Sequence, residues 1–105
     1  MKLDHMAIEV DDIDEAIEWY ENMLNASIIY SDKTWGMLEV HGIKIALILR
    51  CTHPPHIAFS VKKIKDLPCD VDDVKTHRDK SKYTYIKDPS GNVIEFIYWP
   101  EDEED

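Results

Sequence analysis

The sequence predicts an α+β fold in which a strand–helix–three-strand unit, βαβββ, occurs twice. Three observations predict it. HMAIEV (His5 to Val10) and HIAFSV (His56 to Val61) match at His, Ala and Val, and GIKIALILR (Gly42 to Arg50) lines up with GNVIEFIYW (Gly91 to Trp99). The two matches recur in the same order at nearly the same spacing, with 37 residues from His5 to Gly42 and 35 from His56 to Gly91, which marks an internal repeat. Within each half the apolar pattern changes from period two to helical spacing and back. The predicted organisation is one domain over residues 1–100, with module one at 1–51, module two at 56–100, THPP between them and an acidic tail at 101–105.

The elements follow in chain order. LDHMAIEV alternates and is rich in Ile, Val and Met, so it reads as a strand. DDIDEAIEWYENMLN then offers Asp11 and Asp12 as N-caps and sets Ile13, Ala16, Ile17, Tyr20 and Leu24 at helical spacing. Asn25 suits the left-handed position past the helix end. ASIIY, TWGMLEV and IKIALIL are three further strands, the last two joined by a tight turn at His41-Gly42. In the second half KKIKDLP allows one or two helical turns before Pro68 stops it. VDDVKTH is a weak strand and RDKSK a polar loop. KYTYIK and NVIEFIYW form a hairpin closed by Asp88-Pro-Ser-Gly91, a strong turn sequence.

Composition excludes several function classes. The 105 residues are 44% apolar and 32% charged, the profile of a globular chain with one core. No apolar run approaches the ~20 residues that span a bilayer, and MKLDHMAIEV lacks the basic start and apolar stretch of a signal peptide. A cytoplasmic protein is expected, with its two cysteines as free thiols. The net charge is −10, of which EDEED carries −5, so phosphate backbones would repel the chain and nucleic acid is not an expected partner. Three glycines in all leave no phosphate-binding loop, and no GxSxG elbow or CxxC pair occurs.

Period two sorts the strand side chains by face. Met6, Ile8 and Val10 share one side of the first strand, with His5, Ala7 and Glu9 opposite. Ile57, Phe59 and Val61 share one side of the fifth, with His56, Ala58 and Ser60 opposite. The large apolar sides are expected to pack on the helices, leaving room in front of each His-x-Ala. Glu95 lies on the face of Val93 and Ile97, and a carboxylate among such neighbours needs a partner or a metal. His5, His56 and Glu95 are the candidate ligands. The repeat puts Ala46 where Glu95 stands in the other half.

Paired βαβββ units, a His on the first strand of each, and DPSGNVIEF near the end resemble the vicinal oxygen chelate superfamily of glyoxalases, bleomycin-resistance proteins and extradiol dioxygenases. The resemblance covers residues 3–99. It implies that the two modules pair into a curved mixed sheet around a central cavity holding a divalent metal ion (Fe, Mn, Zn or Ni). It implies His5, His56 and Glu95 as the metal ligands. The further carboxylate that glyoxalase I and methylmalonyl-CoA epimerase use would be Ala46 and is missing. Two histidines and one carboxylate leave coordination positions open, as in the dioxygenases and fosfomycin-resistance enzymes. Those families place a tyrosine ten residues before the glutamate, here Tyr85. The Asp88–Gly91 turn would set it across from Glu95 as a catalytic hydrogen-bond or proton donor. Ala7 stands where the fosfomycin-resistance enzymes place a threonine. The resemblance implies a small metal-dependent enzyme acting on a small oxygen-chelating substrate. The alternative it offers is a metal-free protein that sequesters an aromatic or drug-like ligand.

Other readings of the same residues remain. Cys51, His53, His56 and Cys69 could be a zinc site, but the first three have no matching second pair at knuckle spacing and Pro54-Pro55 stiffens the span. Trp35, Met37, Ala46 and Ile48 share a face if the His41-Gly42 turn is two residues long, either as an apolar substrate-pocket wall or as part of a dimer interface. His41, His53 and His77 read as surface residues, and Arg50 and Lys87 as rim charges that could meet an anionic substrate. The short second helix leaves Phe59, Phe96 and Tyr98 to be covered by a homodimer partner or by residues 69–82.

Overall fold

The computed structural model describes residues 1–68, 74–77 and 80–100. The acidic tail, Cys69, the start of the weak strand expected at 71–77 and two residues of the expected polar loop lie outside the described residues. Among the described residues, eight strands form one mixed sheet with a single α-helix. The elements are β1 (Lys2–Val10), α1 (Ile13–Leu24), β2 (Ser27–Ser31), β3 (Trp35–Val40) and β4 (Ile43–Leu49), then β5 (His56–Val61), a 3-10 helix (Ile64–Asp66), β6 (Lys75–Thr76), β7 (Lys82–Lys87) and β8 (Val93–Tyr98). Backbone contacts divide the chain into His5–His56 and a unit made of Met1–Asp4 with Ile57–Asp105. The division cuts β1 after Asp4 and β5 after His56, so each of these strands belongs partly to both.

In the unit His5–His56 the helix is fixed at both ends. Asp12 is extended and its carboxylate accepts from the Glu15 N–H at 2.8 Å, which satisfies one of the donors that a helix start leaves unpaired. Asn25 takes the left-handed conformation, φ 56°, and its N–H reaches back to the Glu21 and Tyr20 carbonyls. Ile13 and Ile17 are buried against Leu38 and Val40 of β3 and Leu47 of β4, with Ile8 and Val10 of β1 beside them. The expected apolar face of β1 thus meets the helix. Leu38 and Leu47 are fully buried, worth about 1.5–3 kcal/mol each. Leu24, at the helix end, is exposed rather than packed. The side-chain-free position Gly36 faces Ile13 and Ile17.

Turn chemistry sets the registers. His41 and Gly42 both have positive φ, 51° and 87°, as a two-residue turn of this twist requires. The register runs Val40↔Ile43, Glu39↔Lys44, Met37↔Ala46 and Trp35↔Ile48. Between β2 and β3 the Asp32 carboxylate accepts from the Thr34 hydroxyl at 2.6 Å, the Tyr30 hydroxyl at 2.6 Å and the Thr34 N–H at 2.7 Å. These bonds, the Thr34 hydroxyl first, hold it well below the usual carboxylate range. β1 and β4 run parallel, with Ala7 beside Ala46.

In the other unit, β5, β8, β7 and β6 are successive neighbours. The β7–β8 loop is tied by Asp88, whose carboxylate accepts from Ser90 N–H and Asn92 N–H, both at 2.8 Å, and from Asn92 Nδ2 at 2.9 Å. Gly91 supplies the positive φ of 90°. The second helix is reduced to one 3-10 turn, as Pro68 leads one to expect. Leu67 just beyond it and Val74 pack with Val61, Phe96 and the buried Tyr98. Of the two covers expected for this apolar group, chain from the 69–82 stretch supplies part through Val74. No helix among the described residues is long and apolar enough to cross a membrane.

Two predictions test these local causes. Asp12→Ala is expected to cost about 1 kcal/mol in urea unfolding, with Asp12→Ser close to wild type. The glycines are expected to part in sign. A Cβ at Gly36 meets its nearest atoms at an ordinary 3.5 Å, so Gly36→Ala is tolerated or stabilises by up to about 1 kcal/mol. Gly42→Ala meets nothing within 4 Å but forces an L-residue to φ +87° and destabilises. Equal midpoints for the two alanine variants would contradict this.

Candidate metal centre

Strand alternation points both imidazoles the same way. His5 and His56, each half-buried, meet with their Nε2 atoms 3.3 Å apart and their rings edge to face at 75°. His56 Nδ1 lies 2.8 Å from the Pro54 carbonyl oxygen. A carbonyl only accepts, so Nδ1 carries a proton, and in the neutral ring the lone pair of His56 is on Nε2, the atom facing His5. Pro54, read from the sequence as part of a linker, therefore fixes the tautomer that a metal ligand needs.

Glu95 is placed by the second hairpin. The 88–92 loop sets the register Tyr85↔Glu95 and Tyr83↔Ile97, as the turn sequence predicts for Tyr85. Glu95 is only 2% exposed, so its carboxylate needs partners. Tyr85 hydrogen-bonds to it, and burial first, then the Glu95 charge, push the Tyr85 hydroxyl pKa strongly up. Tyr85 thus keeps its proton throughout the physiological range. His77 Nε2 lies 3.5 Å from Glu95 Oε2. The expectation that His77 is a surface residue is corrected: it is half-buried and stacks on Tyr83, with centroids 3.7 Å apart and planes at 11°. Sequence reading missed it because VDDVKTH shows no clear period. The signal available was register, since Lys75 pairs with Tyr83 and His77, two residues on, returns to the same face.

His5, His56 and Glu95 each offer one ligand atom, and these atoms lie within 4.8 Å of one another, a group that could hold a metal ion. The donor set fits a divalent ion. Donors at ~2.0–2.2 Å from one ion are about 3–4 Å apart and no more than ~4.4 Å. The histidine pair has that spacing, and the whole set is at most a few tenths of an ångström wider.

The remaining predicted residues separate. Met37, Ala46 and Ile48 pack with Ala7 in one apolar cluster. Trp35 is exposed and lies on Tyr30, with ring centroids 4.8 Å apart, because the aromatic of the neighbouring strand is its nearest large partner. Cys51 is an exposed free thiol in a turn with φ 67°, and His53 is exposed, so the described part of the cysteine–histidine alternative does not converge. Arg50 pairs with the Asp11 carboxylate and lines an open groove of about 600 Å³ along α1, with Trp19 and Tyr20.

Among curated proteins, the chain is 24% identical over 112 residues to metallothiol transferase FosB of Lysinibacillus sphaericus (strain C3-41), covering 90% of this chain and 79% of the relative. Among solved structures it is similar to a hypothetical protein of Bacillus halodurans C-125, with a TM-score of 0.72 at 20% identity over 99% and 98% of the two chains. Methylmalonyl-CoA epimerase from Mycobacterium tuberculosis gives a TM-score of 0.68 at 21% identity, over 95% and 89%. The Glyoxalase/Bleomycin resistance protein/Dioxygenase superfamily matches residues 2–96, and the chain belongs to that superfamily.

Proposed function

We propose that the chain is a small metal-dependent enzyme, with a divalent ion held by His5, His56 and Glu95 and a small substrate bound through its oxygen atoms. The observation that carries this reading is the convergence of two imidazoles and a buried carboxylate, with His56 Nδ1 bonded to the Pro54 carbonyl so that the neutral ring turns its Nε2 lone pair to the site. A bound ion supplies Lewis acidity, stabilising charge that develops on a substrate oxygen. The protein's own part is to orient and to hold a proton. Pro54 orients His56, and the Ala7–Ala46 pair keeps the neighbouring wall apolar and free of a further carboxylate. Tyr85, kept protonated beside Glu95, would turn its one O–H from that carboxylate to a bound substrate oxygen as a hydrogen-bond donor.

The Lysinibacillus relative is named for a metal and for thiol transfer, so transfer of a thiol to a small oxygen-rich acceptor is the reaction to assay first. A homodimer is part of this proposal. The exposed Ile28, Ile29 and Tyr30 on β2, at one end of the strand order, are apolar surface that a second copy would cover.

Elemental analysis tests the reading. Wild type incubated with iron, manganese, zinc or nickel salts is expected to retain about one ion per chain, and His56→Ala well below that. Metal equally low in both would replace the enzyme by the metal-free ligand-binding alternative. Tyr85 gives an independent pH test on the metal-free protein. Its pKa is raised in the folded state, so the folded chain holds the proton after the unfolded chain has released it near pH ~10. The associated stability is fully present below that pH and declines above it. Tyr85→Phe is expected to flatten the fall in unfolding free energy between pH 9.5 and 11, in steps of about half a unit, around that ordinary value. An unchanged slope would mean that Tyr85 ionises as freely folded as unfolded.

A further inference from the structure

We propose that His77 is a positioning residue for Glu95, setting how tightly the chain holds its metal ion; this rests on the metal-site reading above. His77 is held from two sides. Its N–H donates to the Ser81 carbonyl at 2.9 Å, and its own carbonyl accepts from the Lys80 N–H at 3.0 Å. Lys80 takes φ 72° and Ser81 is fully buried. The β6–β7 register, Lys75↔Tyr83 and Thr76↔Lys82, brings the ring over Tyr83, where it lies parallel at 3.7 Å. A ring pinned in this way has little rotamer freedom left, and its Nε2 is directed at Glu95 Oε2, 3.5 Å away.

Tyr83 in turn meets Tyr85 edge to face, with centroids 5.4 Å apart, and Tyr85 bonds to the same carboxylate. His77, Tyr83 and Tyr85 thus form a packed aromatic row that reaches Glu95 at both ends. A carboxylate ligand binds a cation tightly only when its orientation is fixed beforehand, and partners behind such ligands typically change metal affinity by about 10–100-fold. The row fixes Glu95 by this route.

Three proteins test it: wild type, His77→Phe, which keeps a ring on Tyr83 but loses the nitrogen, and His77→Gln, which keeps a donor but loses the ring. The probe is Zn²⁺ alone, in chelator competition, with the melting midpoint of each metal-free protein recorded beside it. The expected result is a Kd for His77→Phe weakened about 10–100-fold at a near wild-type midpoint, with His77→Gln closer to wild type in Kd. A wild-type Kd in His77→Phe overturns the inference and leaves the metal site standing. So does equal weakening in both variants, which would mark His77 as a direct ligand. If His77→Phe fails to fold, His77→Gln decides: a loss of tenfold or more overturns the inference, and a smaller loss supports it. A wild type that binds no Zn²⁺, manganese or nickel removes both the inference and the reading beneath it.

Discussion

A carboxylate that is 2% exposed is the constraint around which the second half of the chain is arranged. Burying an ionised carboxylate without partners costs far more than any single apolar contact returns, so Glu95 is tolerated only because the fold brings partners to it. Tyr85 comes from the strand directly opposite, and His77 from the position just past β6. Tyr85 depends on the register set by the Asp88-capped loop, and His77 on the β6–β7 register. A one-residue slip in either would turn a partner to the other face of the sheet and leave the charge exposed to an apolar interior.

The first half solves a different problem. Its imidazoles can be neutral, so they need orientation more than charge compensation. Orientation comes from the backbone: the Pro54 carbonyl fixes His56, and strand alternation fixes His5. The α1 side of the same sheet carries the stability, through Ile13, Ile17, Leu38 and Leu47. The helix-packed core and the histidine pair thus occupy opposite faces of β1, which is what an alternating sequence such as HMAIEV permits.

Much of this was legible in the sequence because its causes are local. The caps of α1 at Asp12 and Asn25, the His41-Gly42 turn and the pairing of Tyr85 with Glu95 each follow from a few adjacent residues. The histidines were found through the repeat, which supplies long-range information that a single strand lacks. His77 was not legible because its place depends on the short β6–β7 pairing and on a stack with Tyr83, neither of which leaves a periodic trace. Trp35 was placed on the correct strand and register, yet its ring chose Tyr30 of β2, a neighbour that alternation within one hairpin does not identify. The exposure of Leu24 shows the same limit at a helix end, where spacing continues although the surface it faced has ended.

The residue at Ala46 bears on what such a site would accept. Ala46 sits beside Ala7, both buried, with Met37 and Ile48, so nothing ionisable stands at the repeat-equivalent of Glu95. If the ion is held as proposed, two neutral imidazoles and one carboxylate leave a divalent centre with a net charge of about +1, where a second carboxylate would bring it to zero. In a partly desolvated site that difference favours an anionic oxygen on the substrate over a neutral carbonyl. The acidic body of the chain opposes the long-range approach of such a substrate, but within a Debye length of ~8 Å at physiological salt the nearby ion outweighs distant carboxylates. The replacement of one carboxylate by a methyl group thus shifts the expected chemistry toward anionic acceptors without altering the fold that presents it.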